Sequence, residues 1–244
     1  MIRFIGVLQF LTRLTIIRDM PHQEDFDKGI IYFPIVGATI GLLLLFVFRV
    51  ANVFFPHQLA IILTIGSFVV LTGGLHMDGL GDTFDGLYSN KSRARMLEIM
   101  KDSCLGTNGV LAIIFVLLIK ITSLSSIGIW NVYGALVIMP VFGRLSLVLG
   151  SFNAKYARET GLGNIFIGRV EKKQVLISII FTAIATIFQP VSIFFIPILW
   201  VFTYCFQRYC DKKIGGMTGD TLGALCEMVE TLYLLYLLLI INIF

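Results

Sequence analysis

The chain has 244 residues, of which 57% are apolar and only 14% are charged, and its formal net charge is +4. A soluble domain is roughly 45–50% apolar and about 25% charged, so this chain carries too little charge to cover a water-facing surface. The composition indicates an integral membrane protein. It excludes a nucleic-acid-binding protein, a cytosolic enzyme and a secreted disulfide scaffold.

The N-terminal segment, residues 1–18, predicts an amphipathic helix. Polar and small residues recur at helical spacing from Arg3 to Arg13, and apolar side chains fill the other face. This pattern is typical of a helix that lies in the membrane interface. Arg13 interrupts the apolar stretch and no small-residue cleavage site follows, so the segment is not interpreted as a removable signal peptide.

Seven apolar segments follow, and most approach the roughly 20 residues that a membrane-spanning helix needs. They cover residues 30–50, 58–72, 109–126, 132–150, 175–188, 191–206 and 222–243. The fifth segment is short, and Pro190 is expected to end it in a tight turn. The sequence therefore predicts an all-α, polytopic bundle of about seven transmembrane helices, formed by a single domain over residues 1–244.

The basic residues predict the orientation of this bundle. When the segments are threaded alternately through a membrane, all Lys and Arg residues except Arg49, Lys120 and Arg144 fall on one side. Positive residues mark the cytoplasmic side, so we expect the N-terminus in the cytoplasm and the C-terminus outside. The acidic residues fall on the same side, and the active site is therefore expected at the cytoplasmic face.

The stretch GGLHMDGLGDTFDG, residues 73–86, contains three aspartates at helical spacing. Asp78, Asp82 and Asp85 project from one face if this stretch is a helix. Such like charges repel, and a bound Mg²⁺ ion is the simplest way to neutralise them. A solvated acidic helix end is the alternative. The glycines between the aspartates weaken a helix and indicate the close approach of a backbone or a ligand.

A second charged cluster follows at residues 93–102. Arg93 and Arg95 come first, and the adjacent Lys101 and Asp102 lie within IMKDSCLG. Here a lysine can neutralise a phosphate and an aspartate can bind a metal ion. Because a charged loop is the ordinary continuation of a span, this cluster is a weaker indication of a site than the aspartates are.

The last apolar segment begins with a third cluster, GGMTGDTLGALCEMVE. Asp220, Glu227 and Glu230 lie near one stripe of this helix, and acidic groups inside an apolar helix are costly and usually functional. Arg144 is a candidate anion ligand because its planar guanidinium suits phosphate. Lys120 lies deeper, and a structural partner explains it as well as a functional role does.

These clusters together predict a membrane enzyme. His76 precedes the aspartates and either orients a ligand or is a bystander at a helix turn. The sequence contains no Gly-x-Ser-x-Gly, no Walker loop and no CxxC pair. Metal-bound carboxylates beside basic residues suit phosphoryl chemistry on a diphosphate. An ion-coupled transporter is the alternative from another class, but its charged residues are expected near mid-membrane in both halves.

The motifs resemble those of the cobalamin synthase family, the adenosylcobinamide-GDP ribazoletransferases. The resemblance rests on GGLHMDGLGDTFDG, IMKDS, PVFGR and GGMTGDTLGA, with FLTRLTI at residues 10–16 and YFPIVGATIG at residues 32–41. The submotif DTFDG is also similar to the metal motif of CDP-alcohol phosphotransferases. A CDP-alcohol phosphatidyltransferase is therefore the alternative enzyme.

The resemblance implies the reaction and its requirements. The ribose 3′-hydroxyl of α-ribazole, or of its 5′-phosphate, is expected to attack the cobinamide-bound phosphorus of adenosylcobinamide-GDP. GMP leaves and adenosylcobalamin or its 5′-phosphate forms, in the last assembly of the nucleotide loop, and Mg²⁺ is required. The expected surroundings are the lipid of the cell membrane, and the oligomeric state is left open.

We assign residue roles on this basis. The expected catalytic residues are Asp82, Asp85 and Lys101. The expected metal ligands are Asp78, Asp82 and Asp85, with Asp102 and Asp220 for a second ion. The expected substrate-binding residues are His76, Arg93, Arg95, Arg144 and Glu227. One carboxylate is expected to accept the hydroxyl proton, and the sequence leaves open which one. Asp25 lies outside every cluster and is expected to be dispensable.

Overall fold

In the computed structural model, which describes residues 2–18 and 26–243, the described parts of the chain fold into helices and their connections. The α-helices are α1 (Ile2–Leu11), α2 (Phe33–Phe54), α3 (His57–Thr72), α4 (Leu75–Leu87), α5 (Arg93–Ile99), α6 (Thr107–Ser126), α7 (Ile129–Ser151), α8 (Lys172–Ala185), α9 (Phe195–Ile214) and α10 (Gly219–Ile243). No strand occurs in the described ranges, where an isolated bridge pairs Tyr156 with Met217. The predicted all-α fold class is confirmed.

Several of these helices are long and apolar enough to cross a membrane. Five such segments are Asp27–Phe54, Thr107–Ser126, Ile129–Ser151, Pro190–Ile214 and Gly219–Ile243, and a sixth results if α3 and α4 are counted as one broken span. Large apolar side chains point outward from them, since Phe46 is 66% exposed, Phe115 62% and Val201 61%. Such an apolar outer surface suits a multi-pass membrane protein.

The fifth predicted span is shorter than the others. α8 has 14 residues, about 21 Å at 1.5 Å per residue, whereas the hydrocarbon core is about 30 Å thick. Two short 3₁₀ helices, Thr186–Phe188 and Pro190–Phe194, connect α8 to α9. The break predicted at Pro190 is therefore confirmed, and length and composition support five or six spans.

The aspartate-rich stretch forms a helix of its own, where the sequence analysis expected the end of the second span. α3 and α4 meet at an angle of 87°, at Gly73 and Gly74, whose φ angles are 64° and 69°. Glycine adopts this left-handed conformation without steric cost. The backbone N–H of Arg13 donates to the Leu71 carbonyl at 2.8 Å. The N-terminal segment therefore packs against the bend.

The predicted N-terminal helix is present as α1, although Gly6 of its predicted polar stripe is buried and Arg13 lies beyond its end. It buries Val7, Leu8 and Leu11 against the bundle, while Arg3 is exposed. The helix ends at Leu11, before Arg13 turns toward the α3–α4 bend.

α7 is the central helix of the bundle, and almost all of its residues are buried. It packs against α2 on one side and α10 on another, and α10 in turn packs against α4. A Cβ added to Gly37 or Gly41 of α2 would lie 2.6 or 2.5 Å from a carbonyl oxygen of α7. Small residues permit such close helix contacts in membrane proteins. This packing holds α4, with its aspartates, at the edge of the central bundle.

Candidate active site

Asp78 and Asp82 of α4 line a cavity of about 800 Å³. Lys101 and Asp102, in the connection between α5 and α6, line the same cavity, as does Arg13 from the segment after α1. We call this space the polar cavity. It brings together residues from two of the predicted clusters and from the N-terminal segment, and four of them, Asp78, Asp82, Lys101 and Asp102, were predicted site residues.

α10 brings Asp220 to the same group of carboxylates. A Cβ added to Gly79 of α4 would lie 2.8 Å from the Asp220 carbonyl oxygen, and one added to Gly223 of α10 would lie 3.2 Å from the His76 carbonyl oxygen. The backbones of α4 and α10 therefore touch at this level. The close approach that the glycines predicted is confirmed at Gly79, where the neighbour is the backbone of α10.

Asp82 has several charged neighbours. The carboxylates of Asp78, Asp85 and Asp220 and the guanidinium of Arg158 all act electrostatically on it. Arg158 Nη2 forms an ion pair with Asp220 Oδ2 at 2.6 Å. Within this group, one cation faces four carboxylates. The remaining negative charge favours the binding of a further cation.

Asp85 is turned toward the start of α6. Its Oδ2 accepts a hydrogen bond from the Gly106 N–H at 2.6 Å, and its Oδ1 accepts one from the Gly109 N–H at 2.9 Å. The first N–H groups of a helix lack intrahelical partners and favour a negative charge. Asp85 therefore holds α6 against α4. Each carboxylate oxygen keeps a further lone pair, so the predicted metal-binding role of Asp85 is compatible with this position.

Arg144 and Glu227 lie in a different place, inside the bundle. Lys120 Nζ donates to Glu227 Oε2 at 2.6 Å and to Glu230 Oε2 at 2.5 Å, and Arg144 Nη1 donates to Glu230 Oε1 at 2.6 Å. The ring centroid of Phe68 lies 5.4 Å from each cation. We call these four charged side chains the buried ion cluster. It links α6, α7 and α10, and it gives Lys120 a structural partner.

His76 lies between the buried ion cluster and the aspartates. It is 5% exposed, and its Nδ1 is 3.7 Å from the Sγ of Cys226 in α10. Together with Asp78 and Asp220, it lines a second cavity of about 280 Å³. The structure therefore brings His76 close to the predicted site, on a different cavity from Asp82.

The second cavity adjoins the first at Phe10, Leu75 and Asp78, which line both. We call it the aromatic cavity, because four of its lining residues are Phe10, Phe33, Tyr156 and Phe166.

Arg93 and Arg95 lie apart from both cavities. Arg95 forms an exposed ion pair with Glu98 at 2.8 Å, and the guanidinium of Arg93 packs against Gly215 at the end of α9. Neither arginine lines the polar or the aromatic cavity. Within the described part of the chain, the structure therefore does not bring these two predicted substrate-binding residues to the cavities that the carboxylates line.

Arg13 and Arg158 were not among the predicted site residues. A signal for Arg13 exists, because a lone arginine interrupts the apolar stretch FLTRLTI. The pairing of Arg158 with Asp220 has no sequence signal, since the two residues are far apart in the chain.

The carboxylates have the chemistry of a Mg²⁺ site without forming a closed cage. In residues 2–18 and 26–243, no group of three His, Cys, Asp or Glu side chains is arranged to hold one ion. Mg²⁺ usually binds through one or two carboxylates together with water and substrate phosphates. The oxygen donors of Asp78, Asp82 and Asp220, with their surplus negative charge, fit this kind of binding.

Comparison with known proteins identifies the family. A family model described as cobalamin-5-phosphate synthase matches residues 3–238. A protein of Alkaliphilus metalliredigens named adenosylcobinamide-GDP ribazoletransferase is 52% identical over 98% of this chain and 95% of its own length. A protein of the same name from Clostridioides difficile is 40% identical over 99% of this chain and 99% of its own length. One from Acetivibrio thermocellus is 39% identical over 96% of this chain and 96% of its own length. No solved structure gives a significant match. The chain therefore belongs to the cobalamin-5-phosphate synthase family.

Proposed function

We propose that this protein is an adenosylcobinamide-GDP ribazoletransferase, which catalyses the final step of cobalamin biosynthesis. The names of its relatives and the near-complete coverage of both chains support this function. The structural observation that carries it is the polar cavity, in which Asp78 and Asp82 face the same space as Lys101 and Arg13. When an alcohol attacks a nucleotide diphosphate, a carboxylate can accept the hydroxyl proton and nearby cations can neutralise the phosphate oxygens.

The proposed reaction exchanges one P–O bond for another. The ribose 3′-hydroxyl oxygen of α-ribazole, or of its 5′-phosphate, forms a bond to the cobinamide-bound phosphorus. The bond from that phosphorus to the bridging oxygen breaks, and this oxygen leaves with GMP. The hydroxyl proton passes to a carboxylate, for which Asp82 and Asp78 are the candidates because both line the polar cavity.

We propose that Mg²⁺ binds through one or two of the carboxylates of Asp78, Asp82 and Asp220 together with substrate phosphates, and that Asp85 and Asp102 remain candidate ligands from the sequence prediction. When bound, the ion supplies positive charge that stabilises the charge developing on the diphosphate oxygens.

Lys101 and Arg13 are the cations that we assign to the diphosphate. Both line the polar cavity, and a guanidinium binds phosphate oxygens in a planar, two-point manner. The hydrogen bond from the Arg13 N–H to Leu71 and the packing of its guanidinium on Gly73 hold it near the bend. We propose this pair in place of the three arginines of the sequence prediction, Arg93, Arg95 and Arg144.

The activity is tested with the purified protein in lipid nanodiscs. Incubation with adenosylcobinamide-GDP, α-ribazole and Mg²⁺ should release GMP and form adenosylcobalamin in equal amounts. A reaction without α-ribazole is the control. Absence of GMP release, or GMP release without the corrinoid product, contradicts the proposal. Release of CMP from CDP-diacylglycerol and an alcohol would support the alternative phosphatidyltransferase.

We also propose seven spans, with the active site facing the cytoplasm. The Gly168 N–H donates to the Ser151 carbonyl at 2.8 Å, and Gln189 Nε2 donates to Asn131 Oδ1 at 3.0 Å. Ser151 and Asn131 lie at opposite ends of α7, so the segment that contains α8 reaches both ends of a long helix. The connection that follows Ser151 carries Lys155, Arg158 and Arg169, whereas the connection before Ile129 carries no basic residue. The positive-inside rule therefore assigns the Ser151 end to the cytoplasm.

Thiol labelling in intact cells tests this orientation. The exposed Cys104 and Cys205 are first replaced by serine, and single cysteines are then placed in the 55–56 connection between α2 and α3 and at Lys172. An impermeant thiol reagent should label the first and not the second. The reverse labelling would overturn the orientation.

A further inference from the structure

We propose that the aromatic cavity is the binding site for the acceptor nucleoside, α-ribazole, and that the diphosphate donor binds in the polar cavity. This assignment rests on the proposed function and deepens it, because it gives the two substrates separate sites that meet at Asp78. The chemistry recognised in the aromatic cavity is that of a flat, apolar base attached to a ribose.

The walls of the aromatic cavity suit a flat base. Phe166 packs between Phe10 and Phe33, with ring centroids 6.0 and 5.2 Å away, and its ring is nearly perpendicular to that of Phe33. Leu11, Leu147 and Leu222 complete the apolar lining. Aromatic rings bind other rings by stacking and edge-to-face contacts. Ionisable residues also line the aromatic cavity, among them His76, Asp78, Arg158 and Asp220. The polar cavity differs in its rings, since Phe10 is the aromatic residue among its described lining residues.

Unpartnered polar atoms occur in the aromatic cavity. Ser151 is 1% exposed and lines the cavity, and its Oγ has no hydrogen-bond partner within the described ranges. The buried Nε of Arg158, another lining residue, is likewise without a partner there. A buried polar group without a partner is costly. A nucleoside offers hydroxyl groups and ring nitrogens that can satisfy both atoms.

The sizes and the junction of the cavities agree with this assignment. The aromatic cavity, of about 280 Å³, is near the lower end of ligand pockets, which span roughly 300–1,000 Å³, and suits a nucleoside. The polar cavity is much larger, about 800 Å³, and suits the GDP part of the donor. Asp78 lines both, so a ribose hydroxyl from one side and a phosphorus from the other can meet there.

Two variants of the aromatic cavity test the assignment. Ser151→Ala removes the unpartnered hydroxyl and should raise the KM for α-ribazole about two- to tenfold, the value of one hydrogen bond. Gly219→Leu adds a side chain at the edge of the cavity, where the nearest neighbour of an added Cβ is 3.9 Å away. It should raise that KM by more than Ser151→Ala does. The KM for adenosylcobinamide-GDP should stay within about twofold in both variants.

A matched control exists in a third cavity, of about 340 Å³, beside α9. Thr203 lines it, is 2% exposed and has an Oγ1 without a partner among the described residues. Thr203→Val therefore removes a comparable hydroxyl far from the carboxylates, and both KM values should stay unchanged. Equal effects of Thr203→Val and Ser151→Ala on the KM for α-ribazole would overturn the assignment.

Equilibrium dialysis of α-ribazole without the donor separates this inference from the proposed function. Weaker α-ribazole binding in Gly219→Leu, with parental binding in Thr203→Val, supports the aromatic cavity as the acceptor site. This holds even if the parent protein releases no GMP, because the absence of GMP release would refute only the reaction. If the parent releases GMP but Ser151→Ala and Gly219→Leu bind α-ribazole normally, the cavity assignment is wrong and the reaction stands. Thermal midpoints check that each variant is folded.

Discussion

Two groups of charged side chains include residues of α10, and they differ in the ratio of cations to carboxylates. In the buried ion cluster, Lys120 and Arg144 face Glu227 and Glu230, and all four side chains are at most 5% exposed. At the candidate active site, Arg158 acts on Asp82 together with the carboxylates of Asp78, Asp85 and Asp220. Lys101, Arg13 and Asp102 line the polar cavity beside them. The first group has as many cations as carboxylates, whereas the second has more carboxylates than cations and borders two cavities.

This difference separates a structural role from a catalytic one. A buried cluster with equal numbers of cations and carboxylates has no surplus charge for a ligand to neutralise. A group with surplus negative charge beside a cavity gains by binding a metal ion and the phosphates that come with it. Buried charge alone therefore does not mark an active site, and the lack of charge balance is the better criterion.

Removal of divalent cations should have the largest effect. If the carboxylates work through a bound ion, exhaustive chelation with EDTA should abolish GMP release, and Mg²⁺ or Mn²⁺ should restore it, because oxygen ligands suit both ions. The buried ion cluster should be unaffected, so the chelated protein should stay folded, with its thermal midpoint lowered only by the loss of the bound ion. Full activity after chelation would contradict the metal site.

Asp82→Asn should reduce turnover on the order of a thousandfold, which corresponds to several kcal/mol of activation free energy. The change keeps the size of the side chain and removes the charge that binds the ion. Since it also relieves repulsion among the carboxylates, the metal-free variant should be at least as stable as the parent. GMP release and the thermal midpoint measure the two effects.

The control for Asp82→Asn is Asp27→Asn. Asp25, the dispensable residue of the sequence prediction, lies outside the described residues, whereas the Oδ1 of Asp27 accepts a hydrogen bond from the adjacent Lys28 N–H. Asp27→Asn should change activity little. If Asp82→Asn kept a tenth of the parental turnover, Asp82 would not be an essential metal ligand.

Lys120→Met should lower stability and leave the chemistry intact. It leaves two glutamates buried with Arg144 as their cation, and breaking a buried pair costs about 3–5 kcal/mol. We expect the thermal midpoint to fall on the order of 10 °C. The double variant Lys120→Met/Glu227→Gln should recover part of this loss. A normal midpoint with reduced kcat would instead assign the cluster to catalysis.

Lys101→Gln should have a smaller effect, confined to the donor. It removes a cation of the polar cavity, and a hydrogen bond to a charged group is worth about 1.5–3 kcal/mol. We expect kcat/KM for adenosylcobinamide-GDP to fall about ten- to hundredfold. Arg95→Gln is the matched control, because Arg95 pairs with Glu98 on the exposed surface, and it should change kcat/KM less than twofold. Equal losses in both variants would argue against the polar cavity as the donor site.

Local features of the site were predictable from the sequence. Asp78 and Asp82 share one face of α4 because the helical period places residues four apart on the same side. The glycine between them, Gly79, predicted a close neighbour, and the backbone of Asp220 is that neighbour. The break at Pro190 was predictable because proline cannot continue a helix.

The sequence by itself determined the helical class, the apolar segments and the acidic face of α4, because each depends on residues within a few turns of one another. The tertiary structure alone decided that Arg144 pairs with Glu230 and Arg158 with Asp220. It also decided that the chain bends by 87° between α3 and α4. These features arise where separate helices pack together, and the partner of a charge is whichever side chain that packing brings within hydrogen-bond distance.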